Sequence, residues 1–97
     1  MDLMTEGTIS RSDGWLTSWI GDELMMMSAD SSAYLSLSGT GGRIWELLEE
    51  PRTLSSLCEA LAKEYDVQPV EMRGEVEGFL ERLREQHAIE FHPKALA

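Results

Sequence analysis

The 97-residue sequence is poor in basic side chains, in cysteine and in long apolar runs. Eight Lys and Arg face 18 Asp and Glu, a net charge of −10. Such a surface repels a phosphate backbone and argues against nucleic acid as a partner. The single cysteine, Cys58, cannot form an internal disulfide, so the fold needs no oxidising compartment. No uncharged apolar run approaches the ~20 residues that span a bilayer. Asp2 and Glu6 stand where a secretory signal carries positive charge. The expectation is a cytoplasmic protein that does not engage a membrane.

What is present is an ordinary globular balance, 42% apolar and 27% charged, in a chain long enough for one small domain. Up to about residue 40 the apolar residues come in short runs broken by turn residues: Trp15 to Ile20, Leu24 to Ser28 and Ala33 to Ser38. In the last run Ala33, Leu35 and Leu37 alternate with Tyr34, Ser36 and Ser38, which predicts a half-buried strand. The connections Gly21-Asp22 and Ala29 to Ser32 are short enough only for antiparallel neighbours. Beyond residue 40 the period turns helical. Ser38 is expected to cap a first helix over Thr40 to Glu49, stopped by Pro51. Thr53 caps a second, with Leu54, Leu57, Cys58, Leu61 and Tyr65 on one face. Pro69 opens a third, with Met72, Val76, Phe79, Leu80 and Leu83 as its stripe. Gln68 is a poor cap for it. A final strand is expected at Ile89 to Phe91. The fold class is therefore α+β: a three-stranded antiparallel sheet followed by a three-helix, winged-helix-like bundle.

Catalytic groupings are hard to find. His87, His92 and Cys58 match no compact zinc spacing, so no metal and no cofactor are expected. Gly39, Gly41 and Gly42 precede a helix but lack the Lys of a phosphate loop and the spacing of a dinucleotide site; they read as a tight strand-to-helix turn. The many glutamates fall on solvated helix faces, with pairing such as Glu81 to Arg84. An enzyme is not expected. A winged helix that reads DNA is disfavoured too, because residues 70–85 hold five Glu and three Arg. What remains is a binding surface. The Ala33 to Ser38 run has neither proline nor charge, so at a sheet edge it would accept an extended peptide. A central, covered strand is the competing arrangement.

The stretch Leu35-Ser36-Leu37-Ser38-Gly39-Thr40-Gly41-Gly42-Arg43-Ile44-Trp45-Glu46-Leu47-Leu48 resembles the PqqD-like family, the RiPP recognition elements. So do Arg52-Thr53-Leu54, Glu64-Tyr65-Asp66-Val67 and the later Val76, Phe79, Leu80 and Leu83. Ser38 stands where asparagine is frequent in the family, and Gly42 where alanine is usual. The resemblance spans about residues 15–91 and implies domain limits of 15–92, between tails 1–14 and 93–97.

By this resemblance the domain binds the leader of a ribosomal precursor peptide without catalysis. The leader adds as a strand beside Ala33, Tyr34, Leu35, Ser36 and Leu37, and its side chains face Met72, Arg73, Glu75, Val76, Phe79 and Leu80. Partners implied are the precursor and a separate maturation enzyme, foremost a leader protease of lasso-peptide biosynthesis. A pyrroloquinoline-quinone-type peptide chaperone for a radical-SAM enzyme, or a winged-helix regulatory domain, are the alternatives. The domain is expected to be a monomer or a weak homodimer, the latter through the same edge strand. The Met25 to Met27 run is assignable from sequence neither to the core nor to the peptide groove.

Overall fold

The computed structural model describes residues 7–93. Residues 1–6 and 94–97 of the two expected tails lie outside the described residues. The elements run β1 (Thr8–Arg11), β2 (Trp15–Ile20), β3 (Glu23–Ser28), β4 (Tyr34–Ser38), α1 (Thr40–Leu47), β5 (Arg52–Thr53), α2 (Leu54–Tyr65), α3 (Pro69–Glu85) and β6 (Ile89–His92).

The expected meander forms, with β3 at its centre and β2 and β4 at its edges. Its register pairs Trp15 with Ser28 and Ile20 with Glu23 across the first hairpin, and Glu23 with Ser38 and Met27 with Tyr34 across the second. Alternation then divides the side chains. Leu24, Met26 and Leu37 are buried, while Leu16, Ile20, Met27 and Tyr34 stand on the outer face. The methionine run is thus split by period 2: Met26 belongs to the core, and Met25 and Met27 face outward.

A second small sheet, in the order β5-β1-β6, supplies the wing. Its central strand, β1, falls within the N-terminal stretch that shows no strand pattern of its own. It is held by pairing with β6 from the far end of the chain, Ile9 opposite Phe91 and Arg11 opposite Ile89. Arg11 ties this sheet to α1: its Nε donates to the Trp45 carbonyl at 3.1 Å, and its guanidinium lies 4.7 Å from the Trp45 ring centroid. Burial lowers the Arg11 pKa, and Glu49 and Glu46 oppose that shift.

The helices pack one core on the inner face of the meander, built from Ile44, Trp45, Leu48, Leu57, Leu61, Val76, Leu80 and Leu83 with Leu24, Met26 and Leu37. Thr53 caps α2 as expected, its Oγ1 accepting from the Ser56 N–H at 3.1 Å. Two local expectations are corrected. Gly39, not Ser38, is the N-cap of α1, with φ 57° and no side-chain cap bond. The chain must turn from β4 into α1 within one residue, and only glycine takes that dihedral cheaply. Gln68 is better held than its type suggests, because its N–H donates to Glu71 Oε2 at 2.7 Å. At the other end of α3, His87 adopts the left-handed position (φ 59°) and Ala88 N–H returns to the Leu83 carbonyl at 2.9 Å.

Candidate functional site: the open edge of β4

β4 bonds to β3 on one side, and on its other side no strand pairs with it among the described residues. The register shows which of its groups are free. Ser28 N–H donates to the Ala33 carbonyl at 2.7 Å, so Ser28 and Ala33 form a hydrogen-bonded pair. Antiparallel ladders alternate bonded and non-bonded pairs. Leu35 opposite Met26 and Leu37 opposite Leu24 therefore spend their N–H and C=O on β3. Tyr34 and Ser36, in the non-bonded pairs, turn theirs toward the open edge. The vacant row expected over Ala33 to Leu37 thus reduces to these two residues, with Ser38 continuing the series at the strand end.

Side chains follow the same alternation. Leu35, half-buried, leans to the core side, whereas Tyr34 and Ser36 are exposed on the outer face. Ser36 Oγ donates to Glu23 Oε1 at 3.1 Å across the sheet. At the C-terminal end of β4 the backbone passes through Gly39 to Gly41, and there α3 reaches it through Phe79. A Cβ on Gly41 would sit 1.8 Å from Phe79 Cζ, so the ring lies directly against the glycine backbone. Phe79 is half-buried, and Arg82 stacks over it with its guanidinium carbon 5.2 Å from the ring centroid.

The other helix residues expected at this site separate into two groups. Met72, Val76 and Leu80 are buried in the core. Arg73 and Glu75 are exposed, and Arg73 is paired with Glu77 at 3.1 Å along the helix. The turn that follows β4 and Phe79 are thus brought together, while the remaining stripe of α3 is spent on folding. Gly41 is the residue that sequence reasoning assigned only to a turn. Two consecutive small residues in the first turn of a helix were the available signal, since such a pair permits an aromatic ring to approach the backbone. Gly42 does the same for Trp19, whose Cη2 would stand 2.6 Å from an added Cβ.

Groups of three or more His, Cys, Asp or Glu able to hold a metal are absent among the described residues. Cys58 is buried, which raises its thiol pKa above the usual range. None of the helices formed by the described residues is long and apolar enough to cross a membrane. A strand edge, an aromatic side chain and a glycine turn can bind an extended peptide through main-chain bonds and one side-chain contact.

Comparison with known proteins gives this geometry a family. Among solved structures, TbiB1 in complex with the TbiA(beta) leader peptide is 27% identical, with a TM-score of 0.76 over 88% of this chain and 99% of that one. Lasso peptide synthetase B1 complexed with its leader peptide shares the fold at 14% identity, with a TM-score of 0.70 over 84% and 96% of the two chains. The fold is also that of the PqqD truncation of Methylobacterium extorquens PqqCD, a stand-alone RiPP recognition element, at 14% identity and a TM-score of 0.73 over 93% and 99%. No curated protein sequence matches the chain significantly. The sequence model of coenzyme PQQ synthesis protein D matches residues 23–89, from the start of β3 to the start of β6. The chain therefore belongs to the PqqD family.

Proposed function

We propose that this domain binds the leader region of a ribosomally made precursor peptide as a strand added to β4, and presents it to a separate maturation enzyme. The observation that carries the reading is the unpaired main chain of Tyr34 and Ser36, in a strand that leads into the Gly41 turn where the Phe79 ring lies. The added strand bonds to those two residues. Its core-side residues pack on Leu35 and Phe79. Met72, Val76 and Leu80 hold α3 in the core so that Phe79 keeps its place, and the exposed Arg73 and Glu75 stand farther along that helix. Ala33 and Leu37 fix the register of β4 through β3. The role is binding without catalysis: holding the leader raises the effective concentration of the attached core peptide at the enzyme. An added strand with a few apolar contacts supports dissociation constants between about micromolar and nanomolar, roughly −8 to −12 kcal/mol.

A leader protease of lasso-peptide biosynthesis is the enzyme we favour: TbiB1, 27% identical, is complexed with a leader peptide, and the fold is shared with lasso peptide synthetase B1. The family match to coenzyme PQQ synthesis protein D favours a second reading, a peptide chaperone for a radical-SAM enzyme of quinone assembly. Both use the same edge. Amide hydrogen exchange with and without the cognate leader tests it. Tyr34 and Ser36 amides should exchange fast in the free domain and slow at least about tenfold when the leader binds, while Leu35 and Leu37 are protected throughout. A leader that binds tightly and leaves Tyr34 and Ser36 exchanging freely would exclude strand addition at β4.

A further inference from the structure

The meander has a second surface that peptide binding at its edge does not use. Leu16, Met27 and Tyr34 stand in register across β2, β3 and β4 and are 65%, 55% and 68% exposed. With Met25 and Ser18 they line an apolar groove of about 260 Å³, and Ile20 extends the patch. Four large apolar side chains on one small sheet face exceed the scattered exposure normal for a soluble domain.

Its rim is of one sign. Asp13, Asp22, Glu23 and Asp30 are all exposed, and the sequence has no Lys or Arg between Arg11 and Arg43. Asp22 and Glu23 lie at one end of the meander, with Asp13 and Asp30 at the other; Glu23 reaches onto the face itself through Ser36. We propose that this face docks a folded protein that presents an apolar projection ringed by Lys and Arg. A second copy of this chain is disfavoured, since acidic rim would meet acidic rim on molecules of net charge −10. An anionic lipid surface is disfavoured for the same reason. Methionines at the centre suit a projection of irregular shape, because they repack at little cost.

The geometry makes the two sites compatible. Main-chain bonds at β4 lie in the plane of the sheet, and the docking face is perpendicular to it. A strand added at β4 places its own outward residue next to Tyr34 and lengthens the apolar row from three strands to four. Peptide and protein can therefore bind together. In taking the maturation enzyme as the occupant, the proposal rests on the leader-binding reading.

The experiment measures binding of this chain to the separate leader protease that the proposed function implies, by calorimetry, with a parallel titration of the leader. The double variant Leu16→Thr/Met27→Thr should weaken protease binding at least about tenfold and leave leader affinity within about twofold. Glu23→Gln/Asp30→Asn alters no apolar residue, and should weaken the protease complex at low salt but not at about 0.5 M. Val70→Thr, an exposed apolar position on α3, should change neither. Four results overturn the proposal: no complex with the wild-type chain, a complex indifferent to both face variants, loss of leader binding in the Thr variant, or a wild-type dimer that this variant dissociates. Face-dependent protease binding by a chain that ignores the leader would sustain the docking face and remove the peptide site instead.

Discussion

Replacing Ser36 by proline should separate the open edge from the fold. The Ser36 N–H faces the empty side of β4, so proline there removes a donor that an incoming strand needs while every bond to β3 survives. A lost main-chain bond costs about 0.5–1.5 kcal/mol net, and a leader carbonyl covered without a partner costs about 1–3 kcal/mol. Together these are about 2–4 kcal/mol, or roughly 30- to 1,000-fold in affinity. Stability of the free domain should fall by under about 1 kcal/mol, since proline is tolerated where an edge strand's N–H points outward. Leu35→Pro has the opposite profile. Leu35 sits in a bonded pair with Met26, so proline there removes a ladder bond and strands a half-covered carbonyl, about 2–4 kcal/mol of folding free energy. Anisotropy of a labelled leader and urea denaturation, run on both variants, read the two quantities apart. A Ser36→Pro domain of wild-type stability that binds its leader within about threefold of the wild type would refute the reasoning. It would move the added strand elsewhere, and the unpaired edge of β2 would be the next place to look.

Gly41→Ala forces a methyl group into the Phe79 ring, which should cost about 1–3 kcal/mol from overpacking against about 1 kcal/mol gained in helix propensity. In a Phe79→Ala background the same change should become stabilising by about 1 kcal/mol, as should Gly74→Ala, where nothing lies within 4 Å of the added carbon; a double-mutant cycle by thermal denaturation checks the sign reversal. At low pH the Arg43–Glu64 contact should weaken: hydrogen bonding from Arg43 holds the Glu64 carboxyl below the usual carboxylate range. Its contribution is present above the unfolded pKa of about 4.3 and is lost as pH falls through the folded value, so Glu64→Gln should flatten the acid limb of the stability curve. Both groups are largely exposed, so the difference should stay under about 1 kcal/mol.

Local pattern made some of this legible and left the rest to distant contacts. The alternation from Ala33 to Ser38 and the stripe Met72, Val76, Phe79, Leu80 and Leu83 each record one residue's preference for one face, and both became elements where expected. The methionine run was opaque because methionine carries little preference for strand or helix; only pairing with β2 and β4 decides which of the three points inward. β1 gave less signal still. It is four residues long with one buried side chain, Ile9, and what holds it is a partner strand about eighty residues away. At the site, sequence could place Phe79 on the apolar stripe of α3. It could not show that the seat of that ring is Gly41, since the requirement there is a missing Cβ. Nor does a stripe say which of its members the core consumes: Met72, Val76 and Leu80 are buried, while Phe79 reaches the glycine turn that follows β4.

The edge itself sets how selective the site must be. Within β4, Tyr34 and Ser36 can offer at most four main-chain bonds, worth about 2–6 kcal/mol net. Association costs about 4–15 kcal/mol in lost freedom, which consumes most or all of that gain, so the edge alone holds an arbitrary peptide weakly at best. The same deficit protects the domain. A strand of only five residues with no charge or proline would otherwise invite pairing with its own copies, which −10 of net charge also opposes. Binding therefore needs side chains to supply the remainder, and Leu35 and Phe79 are the half-buried apolar groups placed to receive them. A strand carries alternate residues to alternate faces, so the decisive ligand positions are those spaced two apart on the core side. Peptides with apolar residues at that spacing should bind, and permuting them onto the opposite alternation, with composition and length unchanged, should abolish binding.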